Sequence, residues 1–248
     1  MSAHQEATIE SAKRTFVLVH GGFHGGWCWA DVATRLRARG HAVYTPTQTG
    51  CGERSHLLSK DITLDTFVTD IANVLHWEDL HDVVLVGHSF GSNAISGVAD
   101  RMPSRLRQLI YLDGVILHNG QTMFDLLSPD AVQARRRAAE SSGGLSIDAP
   151  AAALFGIRDA SQAAFVQARL TNQPMGSYTS ALTLLNPVTN GVPAVYVECT
   201  DPAFAGIQTT RDWVKAGGMK TVQIHTGHDA MISAPAELAE LLERLSGS

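Results

Sequence analysis

Cysteine is scarce in this chain, with three among 248 residues, at positions 28, 51 and 199. An odd, widely spaced trio builds neither a disulfide framework nor a zinc site. Free buried thiols and a cytoplasmic setting are therefore expected. Basic clusters are missing too. The net charge is −5, and the one cationic run, Arg135-Arg136-Arg137, sits in a helix-like segment that reads as a solvated face. That argues against a nucleic-acid partner. No apolar run is long enough to span a bilayer, and Met1 to Arg14 lacks the apolar core of a signal peptide, so it reads as a loose tail. No membrane partner is expected. Neither a Gly-x-x-x-x-Gly-Lys-Ser/Thr loop nor a dinucleotide fingerprint is spelled out, which argues against a phosphate-binding loop.

Hydrophobic residues are plentiful at 44%, enough to bury a substantial core. The length suits one large α/β domain or two small ones. Branched apolar runs predict strands at 15–19, 41–45, 83–86, 106–112, 192–199 and 221–225. Helical spacing falls at 29–39, 64–75, 93–99 and 236–245. Alternating strands and helices predict a mostly parallel sheet with helices on both faces. Between 112 and 192 no clear strand is legible, only helix-like pieces around 122–140, 149–155 and 159–171. About 116–190 therefore reads as a small helical cap inserted into a single domain, over the carboxyl ends of the strands where such sheets bind ligands. Met123, Phe124, Leu126, Phe155, Phe165, Met175 and Tyr178 suggest an apolar pocket there, although ordinary core packing would use the same residues.

The chemistry-bearing motif is Gly87-His88-Ser89-Phe90-Gly91. A buried strand precedes it and a helix follows, which is the context of a nucleophile elbow. Acyl transfer also needs donors for the negative charge that develops on the carbonyl oxygen. His20-Gly21-Gly22-Phe23-His24, a glycine-rich loop after the first strand, suits that need. Its expected donor is the Gly22 N–H, with Phe23 the next choice, and the Phe90 N–H is the second donor of the pair. Phe23, His24 and His88 are further candidates for substrate contact. Bracing of the loop by hydrogen bonds is the favoured role for His20 and His24.

A serine hydroxyl needs a base, and the base needs an orienting partner. Among eleven histidines, His228 follows the last strand and precedes the last helix. That late position suits the order serine, acid, histidine. Two aspartates compete for the acid. Asp113 closes the strand at 106–112, where burial demands a partner. Asp201 follows the strand at 192–199 but precedes Pro202, in a dipeptide that favours turns. Asp113 is favoured.

These motifs resemble the α/β-hydrolase superfamily, and within it the branch of plant methyl esterases such as salicylate methyl esterase, hydroxynitrile lyases and bacterial pyrethroid-type esterases. Phe16 to Gly21, His24 to Trp27, Gly87 to Gly91 and Gly227 to Met231 carry the resemblance, which covers most of the chain outside the cap. It implies Ser89 as nucleophile, His228 as base and the N–H groups of Gly22 and Phe90 as oxyanion donors. Two departures stand out. The branch's acid position falls on Pro202, with Asp201 one residue early, while certain haloalkane dehalogenases place the acid where Asp113 stands. The lyases' threonine and lysine correspond here to Gly21 and Asp229. The expected activity is hydrolysis of a carboxylic ester or lactone of a small, largely apolar molecule through an acyl-enzyme, without cofactor or metal. Cofactor-free lyase or rearrangement chemistry and slow, receptor-like binding are the alternatives. A homodimer is left open.

Overall fold

A computed structural model describes residues 13–217 and 219–247. Most of the expected tail, residues 1–12, lies outside the described residues. Its last residue is held: the Arg14 N–H donates to His41 Nδ1 at 3.2 Å, and its Nε donates to the Ser246 carbonyl at 3.2 Å.

Six parallel strands form the main sheet. They are β1 (Thr15–Val19), β2 (Ala42–Tyr44), β3 (Val83–His88), β4 (Leu106–Leu112), β7 (Ala194–Cys199) and β8 (Lys220–Ile224), in the order β2-β1-β3-β4-β7-β8. β5 (Ser146–Ile147) and β6 (Gln173–Pro174) form a separate antiparallel pair. Helices α1 (Ala30–Ala38), α2 (Leu64–Trp77) and α3 (Gly91–Arg101) precede β4. α4 (Pro129–Ala138), α5 (Ala160–Gln167) and α6 (Met175–Thr179) lie between β4 and β7. α7 (Gln208–Gly217), α8 (Ala230–Ser233) and α9 (Pro235–Ser246) complete the chain.

Strand periodicity divides the core into two layers. Phe16 and Leu18 of β1 join Val32 and Leu36 of α1 and Leu238 and Leu242 of α9. Val17 and Val19 face the other way, with Phe67 and Ile71 of α2 and Ile95 and Val98 of α3. β3 is buried at all six positions, as a strand covered on both faces requires. In α2, Leu64, Phe67, Val68, Ile71 and Leu75 fall on one buried stripe, and the Thr63 hydroxyl caps the start by accepting from the Thr66 N–H. Full burial of Phe67 alone is worth roughly 1.5–3 kcal/mol.

All six expected strands are present; those at 15–19 and 106–112 keep their expected ends and the others move by one or two residues. β7 begins after Pro193, which has no N–H for the ladder. Two features run against expectation. The segment between β4 and β7 contains the β5/β6 pair, and α7 gave no readable signal. Ile207, in the turn just before α7, falls at helical spacing with Thr210, Arg211 and Val214 on the buried side of that helix. Two of those four are polar, so the apolar period is broken. No helix among the described residues is long and apolar enough to cross a membrane.

Candidate active site

Parallel strands bring their carboxyl ends to one edge, and the candidate side chains collect there. Ser89 follows β3, Asp113 follows β4, His228 lies in the loop after β8 and the Gly21-Gly22 loop follows β1. Ser89 adopts φ +49°, a left-handed backbone that a serine holds only under constraint. Its N–H donates to the Leu112 carbonyl and its carbonyl accepts from the Val115 N–H, both at 3.0 Å. The turn works because no side chain is in the way. A Cβ on Gly91 would collide with the His20 carbonyl, and one on Gly87 would sit 2.9 Å from Ser92 Cα.

The Ser89 hydroxyl lies 2.9 Å from His228 Nε2, and His228 Nδ1 lies 2.7 Å from Asp113 Oδ2. A carboxylate can only accept, so Nδ1 carries the proton and Nε2 is free to accept from Ser89. Phe204 stacks on the imidazole with ring centroids 4.2 Å apart, which fixes its plane. Asp113 is fully buried and answers the charge cost with three donors. Beyond His228, its Oδ1 accepts from Arg211 Nη2 at 2.8 Å and from the Cys199 N–H at 3.2 Å. Arg211 itself is 3% exposed.

The two expected oxyanion donors flank this serine. Neither the Gly22 nor the Phe90 N–H makes a hydrogen bond within the described residues. The Phe23 N–H donates to Gln173 Oε1 at 2.8 Å, so it is already occupied. Gly22, Phe23, Ser89, Phe90 and His228 form one wall of a cavity of about 120 Å³. Met123, Arg135, Leu154, Phe155 and Tyr178, from the segment between β4 and β7, line the rest together with Phe204 and Ile207. Of the apolar residues suggested from sequence, Met123, Phe155 and Tyr178 line this cavity. Phe165 lines a separate one of about 390 Å³ that contains no serine–histidine pair.

A model of the alpha/beta hydrolase family matches residues 16–241. The chain belongs to the alpha/beta hydrolase family. A carbendazim hydrolyzing esterase from Nocardioides sp. (strain SG-4G) is 37% identical over 245 residues, covering 93% of this chain and 98% of that protein. Methylesterase 10 of Arabidopsis thaliana is 24% identical, covering 93% and 91%. An extracellular alpha/beta-hydrolase from a Paenibacillus species has a similar structure, with a TM-score of 0.80 at 25% identity over 94% of this chain and 99% of that one.

Three expectations for site residues of this alpha/beta hydrolase need correction. Asp201, the alternative acid, faces away from His228. It forms a two-pronged ion pair with exposed Arg158, at 2.6 and 3.0 Å, and lies 3.4 Å from His225. His24 does not line the cavity. Its Nδ1 meets the Gly22 carbonyl at 2.8 Å and its Nε2 meets Asp229 Oδ2 at 3.0 Å, which ties the loop after β1 to the loop after β8. His88 does not line it either, because its ring points back under the elbow and Nε2–H donates to the His228 carbonyl at 3.0 Å. Phe23 lines the cavity. Sequence reasoning missed Arg211, which lies on the unread helix α7. It also missed the cavity-facing Arg135, whose position in a run of three arginines looked like an ordinary wet face.

The buried histidines predict a pH dependence of stability. His20 donates from Nδ1 to the Gly21 carbonyl and accepts at Nε2 from the Gln48 N–H, so it must be neutral. Burial lowers its pKa to about 4. Burial, aided by the neighbouring charges of His228 and His24, holds His88 well below the usual range. In the unfolded chain both protonate near pH 6.5. Below that pH the unfolded state therefore binds more protons, and stability falls as pH drops towards 4. For His20 the loss is roughly 1.4 kcal/mol per pH unit, about 3 kcal/mol in all. His24 has the opposite sign. Burial works against its charge, but the Asp229 carboxylate outweighs that and raises its pKa, so its contribution is full below pH 6.5 and lost as pH rises through the raised value. Urea midpoints between pH 7 and 4.5 should fall steeply, and less steeply in His20→Gln. An unchanged slope in that variant contradicts the assignment.

Proposed function

We propose that the chain is a serine hydrolase of small carboxylic esters or lactones, with Ser89 as nucleophile, His228 as base and Asp113 as the orienting acid. The observation that carries this reading is the unbroken chain from hydroxyl to imidazole to carboxylate, at 2.9 and 2.7 Å. The esterase and methylesterase names of its relatives support the same reaction. Ser89 Oγ attacks the carbonyl carbon as its proton passes to His228 Nε2. Charge moves to the carbonyl oxygen, which the N–H groups of Gly22 and Phe90 hold, each worth roughly 3 kcal/mol of barrier. His228 then gives the proton to the departing alcohol, leaving Ser89 acylated. In the second half, His228 takes a proton from water, which displaces the acyl group and restores the serine.

The thiols do not compete as nucleophiles. Burial pushes Cys51 up to about 12 and raises Cys28 and Cys199 as well, so all three stay protonated and weakly nucleophilic. As free buried thiols they support a reducing, cytoplasmic setting. The segment between β4 and β7 serves as a cap that sets substrate size. The lyase alternative is disfavoured because Asp229, the residue beside the base, is an acid committed to His24 rather than a cation available to cyanide.

The test is rapid mixing with a p-nitrophenyl ester. A burst of one nitrophenolate per chain, followed by slower turnover, is expected, with an acyl adduct on Ser89 found by peptide mass analysis. Turnover without an adduct on Ser89 rejects the mechanism.

A further inference from the structure

Helix α4 carries three consecutive arginines in a chain whose net charge is −5. Arg54, Arg101, Arg105, Arg107, Arg158 and Arg211 each meet a carboxylate within 4.0 Å. Among the described residues no such carboxylate serves Arg135, Arg136 or Arg137, although Asp130 and Glu140 flank them on the same stretch. Arg136 has a partner of another kind, with its guanidinium 5.3 Å over the Phe124 ring, and both it and Arg137 are exposed.

Arg135 is different. It is half-buried, it lines the cavity that holds Ser89 and His228, and its guanidinium carbon lies 6.0 Å from the centre of the Phe23 ring. Among the described residues no aspartate or glutamate lines that cavity. Tyr178, on the same wall, has a hydroxyl without a hydrogen-bond partner among the described residues, and the Arg135 charge acts on it against the effect of burial. Two unfilled donors, one of them charged, therefore face an otherwise apolar space of about 120 Å³. Holding a guanidinium partly out of water without an anion is unfavourable, and a planar carboxylate is the group that its paired N–H donors fit. Arg135 and Ser89 line the same cavity, which places the guanidinium beside the space a substrate seated at Ser89 occupies. Arg136 and Arg137 add an uncompensated positive field on the same helix, which attracts anions.

We propose that Arg135 is a specificity-determining residue that receives a carboxylate, so that the preferred substrates are half-esters, in which a free carboxylate accompanies the scissile ester. The proposal rests on the ester-hydrolase reading above and narrows its substrate class. Ester chemistry at Ser89 is unaltered. The carboxylate makes no bond and only positions the acyl group.

The experiment compares kcat/KM for the monomethyl and dimethyl esters of one dicarboxylic acid, phthalate. Wild type should prefer the half-ester. In Arg135→Gln the ratio of half-ester to diester should fall roughly ten- to a hundredfold, mainly through KM of the half-ester. Arg135→Lys should retain part of the preference, and exposed Arg137→Gln, which removes only a solvent-screened charge, should change it by no more than about twofold. A second measurement, titration calorimetry of monomethyl phthalate onto Ser89→Ala protein, needs no turnover. Affinity should drop about tenfold or more on adding Arg135→Gln. A wild-type preference for the diester, or an unchanged ratio in Arg135→Gln, overturns the carboxylate proposal while nitrophenyl ester turnover still supports the hydrolase. If folded enzyme hydrolyses no ester, the hydrolase reading fails instead. The calorimetry then decides the carboxylate site alone, and equal affinity in the two proteins rejects it.

Discussion

Ser89→Ala will lower kcat/KM on a short-chain nitrophenyl ester by at least about 10⁴-fold, while the protein stays folded. The size of the loss follows from the layout of the site. Cys199 closes β7 and Cys51 lies in the loop after β2, but burial keeps both thiols protonated, so neither can take over as nucleophile. What remains after the substitution is a cavity with two N–H donors and a histidine, enough to polarise an ester but not to form an acyl-enzyme. Stability should hardly change. The one side-chain hydrogen bond lost is that to His228 Nε2, at the cavity wall, and alanine bears the same strained φ that serine does. Urea unfolding alongside the kinetics separates the two effects. Activity within tenfold of wild type, from folded protein, would remove Ser89 from the mechanism.

The parts of this site legible in the sequence are those that local chemistry fixes. β3 reads as a buried strand because it is packed on both faces and is therefore apolar throughout. Ser89 reads as a nucleophile because a strand, two glycines and a helix leave one exposed hydroxyl at the turn. His228 is identified by its place between the last strand and the last helix. Each of these signals lies within about twenty-five consecutive residues.

The unreadable parts depend on contacts across the chain. Arg211 reaches Asp113 from 98 positions away, on a helix whose buried stripe is half polar. His24 and Asp229 are 205 positions apart, and their pairing is visible only once the loops after β1 and β8 meet. Arg135 looks identical in sequence to Arg136 and Arg137. Only the rotation of α4 against the cavity sets it apart, and three adjacent residues spaced 100° around a helix cannot all face one way. The choice between Asp113 and Asp201 was legible only in part. Burial at a strand end favoured Asp113, but the reason Asp201 is free to face outward is Arg158, 43 positions earlier.

That choice yields a decisive pair of substitutions. Asp113→Asn should lower kcat by about 10³–10⁴-fold, whereas Asp201→Asn should leave it within about twofold. The argument turns on which donors surround Asp113. Its Oδ1 accepts from Arg211 and the Cys199 N–H, so an asparagine will keep its carbonyl oxygen there to satisfy both. Its amide N–H₂ must then face His228 Nδ1, which can accept only by giving up its proton. The proton moves to Nε2, the nitrogen that has to receive the Ser89 hydrogen, and the base is switched off with its geometry intact. Arg211 also loses a charged partner in a buried place, which should cost roughly 3 kcal/mol of stability. Activity is therefore to be measured well below the variant's unfolding temperature, with circular dichroism as the check on folding. Asp201 has no comparable hold on the base. Its carboxylate meets an exposed arginine, and the Asp201→Asn change removes a solvent-screened pair on the far side of the loop. Reversed losses, with Asp201→Asn crippled and Asp113→Asn near wild type, would make the buried carboxylate a structural anchor for Arg211 and transfer the orienting role to the residue before Pro202.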